Sequence, residues 1–156
     1  MVAKIKINRL FWFKLTRELH RRGANERESG AFLLAREKSA KVVRVVYYDD
    51  LDPHCLDRSY IHFSGAGFVK LWQICQKMHL RVVADVHTHP SSWTEQSELD
   101  ETHPMIPQKG HMALILPNFA RSSRLGLHGV GVFEYLGDGK WRPWSTSSRK
   151  VQLTCL

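Results

Sequence analysis

Cysteine is scarce in this chain, and its placement excludes two architectures. Cys55, Cys75 and Cys155 are odd in number, widely spaced and form no Cys-x-x-Cys pair, so neither a disulfide framework nor a thiolate zinc site is indicated. Long hydrophobic runs are missing too. No segment approaches the ~20 apolar residues that span a bilayer, which predicts a soluble protein without a membrane span. The basic opening, "MVAKIKINRLFWFKLTRELHRR", has only Leu10 to Phe13 as an apolar run. That is too short for the core of an export signal, and no small-residue cleavage site follows, so a cytoplasmic protein is expected. Internal repeats, low-complexity tracts and dividing linkers are also lacking. Residues 1–156 are therefore expected to form one domain.

What is present is a globular composition, 43% hydrophobic and 24% charged, in a chain of 156 residues. A chain of that size buries about 70% of its unfolded surface without needing staples. The formal charge of +8 would favour an acidic partner or nucleic acid. It is dispersed, however, over short clusters such as "RELHRR", "AREKSAK" and "SSRK", which a merely solvated surface explains equally well.

Periodicity places the elements. Leu10, Phe11, Phe13, Leu15 and Leu19 form an apolar stripe predicting a helix over Arg9 to Gly23, with Gly23 as its stop. "SGAFLLA" and "KVVRVVYYDD" read as two strands joined through a hairpin turn at "SAK", and "YIHFS" as a further short strand. Ser64 is placed to cap a helix in which Phe68, Leu71, Trp72, Cys75, Met78 and His79 recur at spacings of three and four, with Phe68, Leu71, Trp72 and Cys75 as the core stripe. "LRVVADVH" reads as a buried strand and "SELDETH" as a short helix. "HMALILP", "GVGVFEYL" and "GKWRPW" follow as strands, the last two joined by a turn at "GDG". The pattern predicts an α/β (α+β) fold with a central mixed β-sheet packed against helices.

The chemistry concentrates in "VVADVHTHPSSWTEQSELD", Val82 to Asp100. Residues i and i+2 of a strand share a face, so His87 and His89 can offer imidazoles to one ion while Thr88 points away. Pro90 ends the ladder there. Asp100, in the first turn of the next helix, can return a carboxylate to the same point. Two neutral imidazoles and one carboxylate leave zinc with an open position, the catalytic rather than the structural pattern. A base is still required, and Glu28, beside the first apolar strand, has a better positional claim than Glu26 or Asp49. Spacing alone does not select it.

Glu28 with Ser29 and Gly30, then His87-Thr-His89-Pro90, six residues, and Ser97-Glu-Leu-Asp100, resembles the JAMM motif of the JAB/MPN metalloprotease family. The match runs Glu, then His-x-His-Pro-x6-Ser-x-x-Asp, and the resemblance covers roughly Arg9 to Tyr135. It implies a cytidine-deaminase-like JAB/MPN fold and one catalytic zinc ion held by His87, His89 and Asp100. It further implies Glu28 as general base and acid and Ser97 as a hydrogen-bond donor to the oxyanion. The activity implied is hydrolysis after the C-terminal glycine of a ubiquitin-like modifier, freeing it from targets or processing its precursor. The compact size is similar to the bacterial, deubiquitinase-like branch, some of whose members share antiphage operons with a modifier and its activating and conjugating enzymes. The expected partner is therefore the modifier's C-terminal tail, not nucleic acid.

Other readings of the same residues stay open. An isolated His-Thr-His more often just ends a strand, and Trp93 and Thr94 either line a substrate groove or lie on an exposed loop. Ser-x-x-Asp is also a capping box, a role that for Asp100 would compete with metal ligation. His103, His111 and His128 have structural explanations at a helix end, a strand start and a turn. As alternatives, the family's RadC-like branch is associated with DNA, some relatives process sulfur-carrier proteins, and inert scaffolds lose motif residues that are all present here.

Overall fold

The computed structural model describes residues 4–155. Its strands are β1 (Ile5–Asn8), β2 (Gly30–Arg36), β3 (Val42–Tyr47), β4 (Leu80–Thr88), β5 (Met112–Leu116), β6 (Gly131–Gly137), β7 (Lys140–Trp144) and β8 (Val151–Thr154). The helices are α1 (Arg9–Gly23), α2 (Tyr48–Leu51), α3 (Gly65–Met78) and α4 (Glu98–Thr102). Six strands form one mixed sheet in the order β3-β2-β4-β5-β6-β7, in which only β4 and β5 run parallel. β1 and β8 pair in parallel as a separate two-stranded sheet.

β2 is apolar along its length because both faces are covered. Ala31, Leu33 and Ala35 join Trp12, Leu15 and Leu19 of α1 in one core, whereas Phe32 and Leu34 join Tyr48, Leu71 and Cys75 in a second. In β4, Leu33 pairs with Ala84 and Leu34 with Val82, so Val83 is an extra, unpaired residue. This bulge resets the alternation. Beyond it Ala84 and Val86 face α1, which leaves Asp85 and His87 for the opposite face.

The expected mixed sheet, the hairpin between β2 and β3, the Ser64 cap and the later strands are all observed. Ser64 Oγ accepts from the Gly67 amide at 3.2 Å, and the Asp138-Gly139 hairpin has positive φ at both residues. Several local expectations change. Leu10 and Phe11 are exposed, and Trp12 is the fully buried anchor of α1, its Nε1 donating to the Ser123 carbonyl at 2.6 Å. α1 is closed not by Gly23 but by Ala24 and Asn25 in the left-handed region. The strand beginning at Lys41 ends at Tyr47, and Tyr48 turns into α2 and packs inward. "YIHFS" is irregular, tied at Ser64, whose amide donates to Asp52 Oδ2 at 2.9 Å. On α3, Leu71 and Cys75 are core, but Trp72 and Met78 are exposed and His79 is the left-handed C-cap. Among the described residues no helix is long and apolar enough to cross a membrane.

Candidate metal centre

The end of β4 delivers both imidazoles to one point. His87 and His89 are buried, and their Nε2 atoms lie 3.2 Å apart. The backbone of His89 is held by its amide donating to the Leu116 carbonyl at 2.8 Å, extending the parallel pairing with β5 past Thr88. His89 Nδ1 lies 3.1 Å from the Trp93 carbonyl; donation there leaves Nε2 with its lone pair facing the site. The Trp93 ring stacks on His89 at 5.5 Å.

Thr88, between the two histidines, faces away and does a different job. The Ser29 amide donates to Thr88 Oγ1 at 3.0 Å, the Thr88 amide donates to the Ser29 carbonyl at 3.0 Å, and Ser29 Oγ donates to the Leu19 carbonyl at 2.7 Å. Glu28 is thereby fixed beside the imidazoles at the entry to β2. The next residue, Gly30, pairs with His87 across the ladder, and a Cβ there would lie 2.2 Å from the Tyr48 ring. Only glycine admits that close approach.

Asp100 arrives from the first turn of α4. Ser97 Oγ accepts from the Asp100 amide at 3.1 Å and Asp100 Oδ2 accepts from the Ser97 amide at 2.9 Å, a complete capping box. The same carboxylate reaches the histidines, Oδ1 at 3.3 Å from His87 Nε2 and Oδ2 at 3.2 Å from His89 Nε2. Capping and convergence do not compete as expected. They share one carboxylate, because the cap orients the very oxygens that face the imidazoles.

The spacing suits a small tetrahedral ion. Ligand atoms about 2.0–2.1 Å from a tetrahedral centre stand about 3.3 Å from one another. The separations of 3.2–3.3 Å among His87, His89 and Asp100 match, and these three are the group of the described residues able to hold a metal ion together. The electrostatics ask for positive charge. Burial opposes the charged imidazole of His87, but the hydrogen bond and charge of Asp100, with Asp85 and Glu28, outweigh it and raise the His87 pKa. Burial likewise opposes ionisation of Asp100, yet the hydrogen bonds from His87 and His89 hold it well below the usual carboxylate range. A divalent ion in place of protons satisfies the same set. Glu28 differs: burial pushes its carboxyl up, reinforced by Asp100 and opposed by His87 and His89.

Glu28, His87, Ser97 and Asp100 open on one cavity of about 500 Å³ on the α3 side of the sheet. Its walls include Tyr60, Phe63, Phe68, Met105 and Trp141. Trp93 and Thr94 are not among its lining; Trp93 packs on His89, and Thr94 Oγ1 donates to the Gly129 carbonyl at 2.8 Å. His111 is no ligand, but it is not merely a strand start: it is buried, with Nε2 2.6 Å from Asp85 Oδ1. Sequence reasoning missed Asp85, His111 and the Thr88 clamp. The polar Asp inside "VVADVH" was the one available signal.

No family model matches the chain. Among solved structures, a JAB1/MPN domain protein from Archaeoglobus fulgidus superposes with a TM-score of 0.51 at 14% identity, covering 99% of each chain. A protein from Desulfitobacterium hafniense gives a TM-score of 0.62 at 19% identity, covering 97% of this chain and 94% of its own. One from Salinibacter ruber gives 0.61 at 14%, covering 96% and 92%. These likenesses show the fold, a mixed α/β arrangement of the JAB/MPN kind.

Proposed function

We propose that this chain is a zinc-dependent isopeptidase or peptidase that cleaves after the C-terminal glycine of a ubiquitin-like modifier, releasing it from targets or trimming its precursor. The observation that carries the reading is the tetrahedral spacing of His87, His89 and Asp100 at the mouth of a cavity that Glu28 and Ser97 also line. The modifier and its activating and conjugating enzymes, encoded in one operon with an antiphage role, are the proposed partners.

When bound, zinc supplies Lewis acidity that polarises a carbonyl and makes water a readier proton donor near neutral pH. Glu28 takes a proton from water and returns it to the departing amine, a task suited to a carboxyl raised towards the working pH by burial. Ser97 holds the Asp100 amide with its oxygen lone pair, which leaves its O–H free to donate to the oxygen that gains charge. The Ser29–Thr88 clamp, fully buried, positions Glu28. No covalent intermediate is required.

The test is zinc content by plasma emission, with cleavage of a linear ubiquitin-like fusion followed on gels. About one zinc is expected in the wild type and in Glu28→Gln, with none in His89→Ala. Only the wild type should cleave. A purified wild type unable to take up zinc would sink the reading.

A further inference from the structure

We infer that Asp85 makes the cavity beside the metal centre a subsite for a basic substrate side chain, arginine or lysine, next to the bond that is cut. The inference rests on the proposed peptidase reading for its placement of that bond. It begins with the β4 bulge, which turns Asp85 to the same face as His87, two residues on, so both line the cavity.

Asp85 is 3% exposed. Oδ1 accepts from His111 Nε2 at 2.6 Å and Oδ2 accepts from the Tyr48 hydroxyl at 3.2 Å. A carboxylate has about four acceptor sites, so these two donors leave capacity unused. Among the described residues His111 Nδ1 is buried without a partner. Asp85 is held by His111 and Tyr48, and no lysine or arginine among the described residues reaches it. Its neighbour across the parallel ladder is Ala113, a small residue that lines the same cavity.

The walls suit such an occupant. Tyr60, Phe63, Phe68 and Trp141 present aromatic surface, which packs a methylene stem and attracts a cation. A glycine tail needs little of the roughly 500 Å³ present. An apolar occupant would cover the remaining acceptors of Asp85 without replacing the water they lose, a cost that a guanidinium or ammonium avoids.

Binding tests this without catalysis. Nα-acetyl-arginine amide and its neutral isostere Nα-acetyl-citrulline amide are titrated into the full chain, with the Trp141 indole followed by NMR. The arginine compound should bind about tenfold or more tightly than the citrulline compound. Asp85→Asn should remove that preference. Tyr48→Phe, which frees an oxygen of Asp85, should keep or enlarge it. Equal binding by the two compounds in the wild type, absence of binding by both, or a preference that survives Asp85→Asn would overturn the inference. The wild-type comparison stands even where a variant fails to fold. Zinc uptake and cleavage without an arginine preference would sink the subsite alone; a preference without cleavage by the zinc-loaded protein would support the subsite and sink the peptidase reading.

Discussion

Glu28 is held in an environment that disfavours its charge, which has a measurable effect on stability. In the unfolded chain its pKa is an ordinary glutamate value, about 4.3. Folding raises it, so ionised Glu28 burdens the folded state at pH above the raised value, and the burden vanishes where both states are protonated. For the metal-free protein, Glu28→Gln should therefore raise the melting temperature at pH 8. The gap should close as pH falls towards 4, as calorimetry across pH would show. A gap that widens in acid would contradict the assigned environment. His87, His89 and Asp100 were legible in the sequence as a converging group because strand alternation and helix capping act over a few residues, whereas spacing did not select Glu28, which the family resemblance pointed to. Thr88 as a clamp and Asp85 as a cavity residue were not legible. Both depend on which residues of β2 and β5 lie opposite β4, and on a bulge at Val83 that apolar patterning does not mark.

At the level of elements, α1 and β2 carry the support beneath the site. Trp12, Leu15 and Leu19 pack on the α1 face of β2, and the Leu19 carbonyl receives the Ser29 hydroxyl one residue from Glu28. Trp12→Ala should cost about 3–5 kcal/mol, read as a lower urea midpoint with an unchanged slope. Because Ser29 hangs from the same helix, turnover on the proposed reading should fall with it. The existence of α1 was evident from its periodicity, but its buried face was not. Leu10, Phe11, Trp12 and Phe13 are consecutive apolar residues that cover most of a turn, so spacing alone cannot choose among them. The choice of Trp12 follows from the Ser123 carbonyl, which gives its indole N–H a buried acceptor. Spacing likewise points Trp72 inward on α3, although the helix buries its Leu71 and Cys75 side and leaves Trp72 exposed.

The whole molecule is governed by order along the sheet rather than along the chain. β4 lies between β2 and β5, so the residues that could hold a metal ion sit where distant segments meet. Such contacts form slowly because long loops must close first. In pulsed hydrogen exchange during refolding, amides of the β2–β3 hairpin should be protected before those linking β1 to β8. Early protection of β1 and β8 would argue against this order. The mixed sheet was foreseeable from its strands, whereas β1 and β8 were missed. Each has four residues, and their identity as strands comes from pairing with each other, with one further bridge from Lys6 to Lys41.

That last pairing also bears on synthesis. Ile5 emerges from the ribosome long before Val151, yet the two are partners. With Ile5, Ile7 and Val151 in the same core as Trp12, this core lacks part of its lining until β8 is translated. A nascent chain already carrying all five motif residues has therefore not completed the core on which α1 and the Glu28 clamp rest. Acquisition of zinc, on the proposed reading, then waits for synthesis of β8 rather than for appearance of the motif.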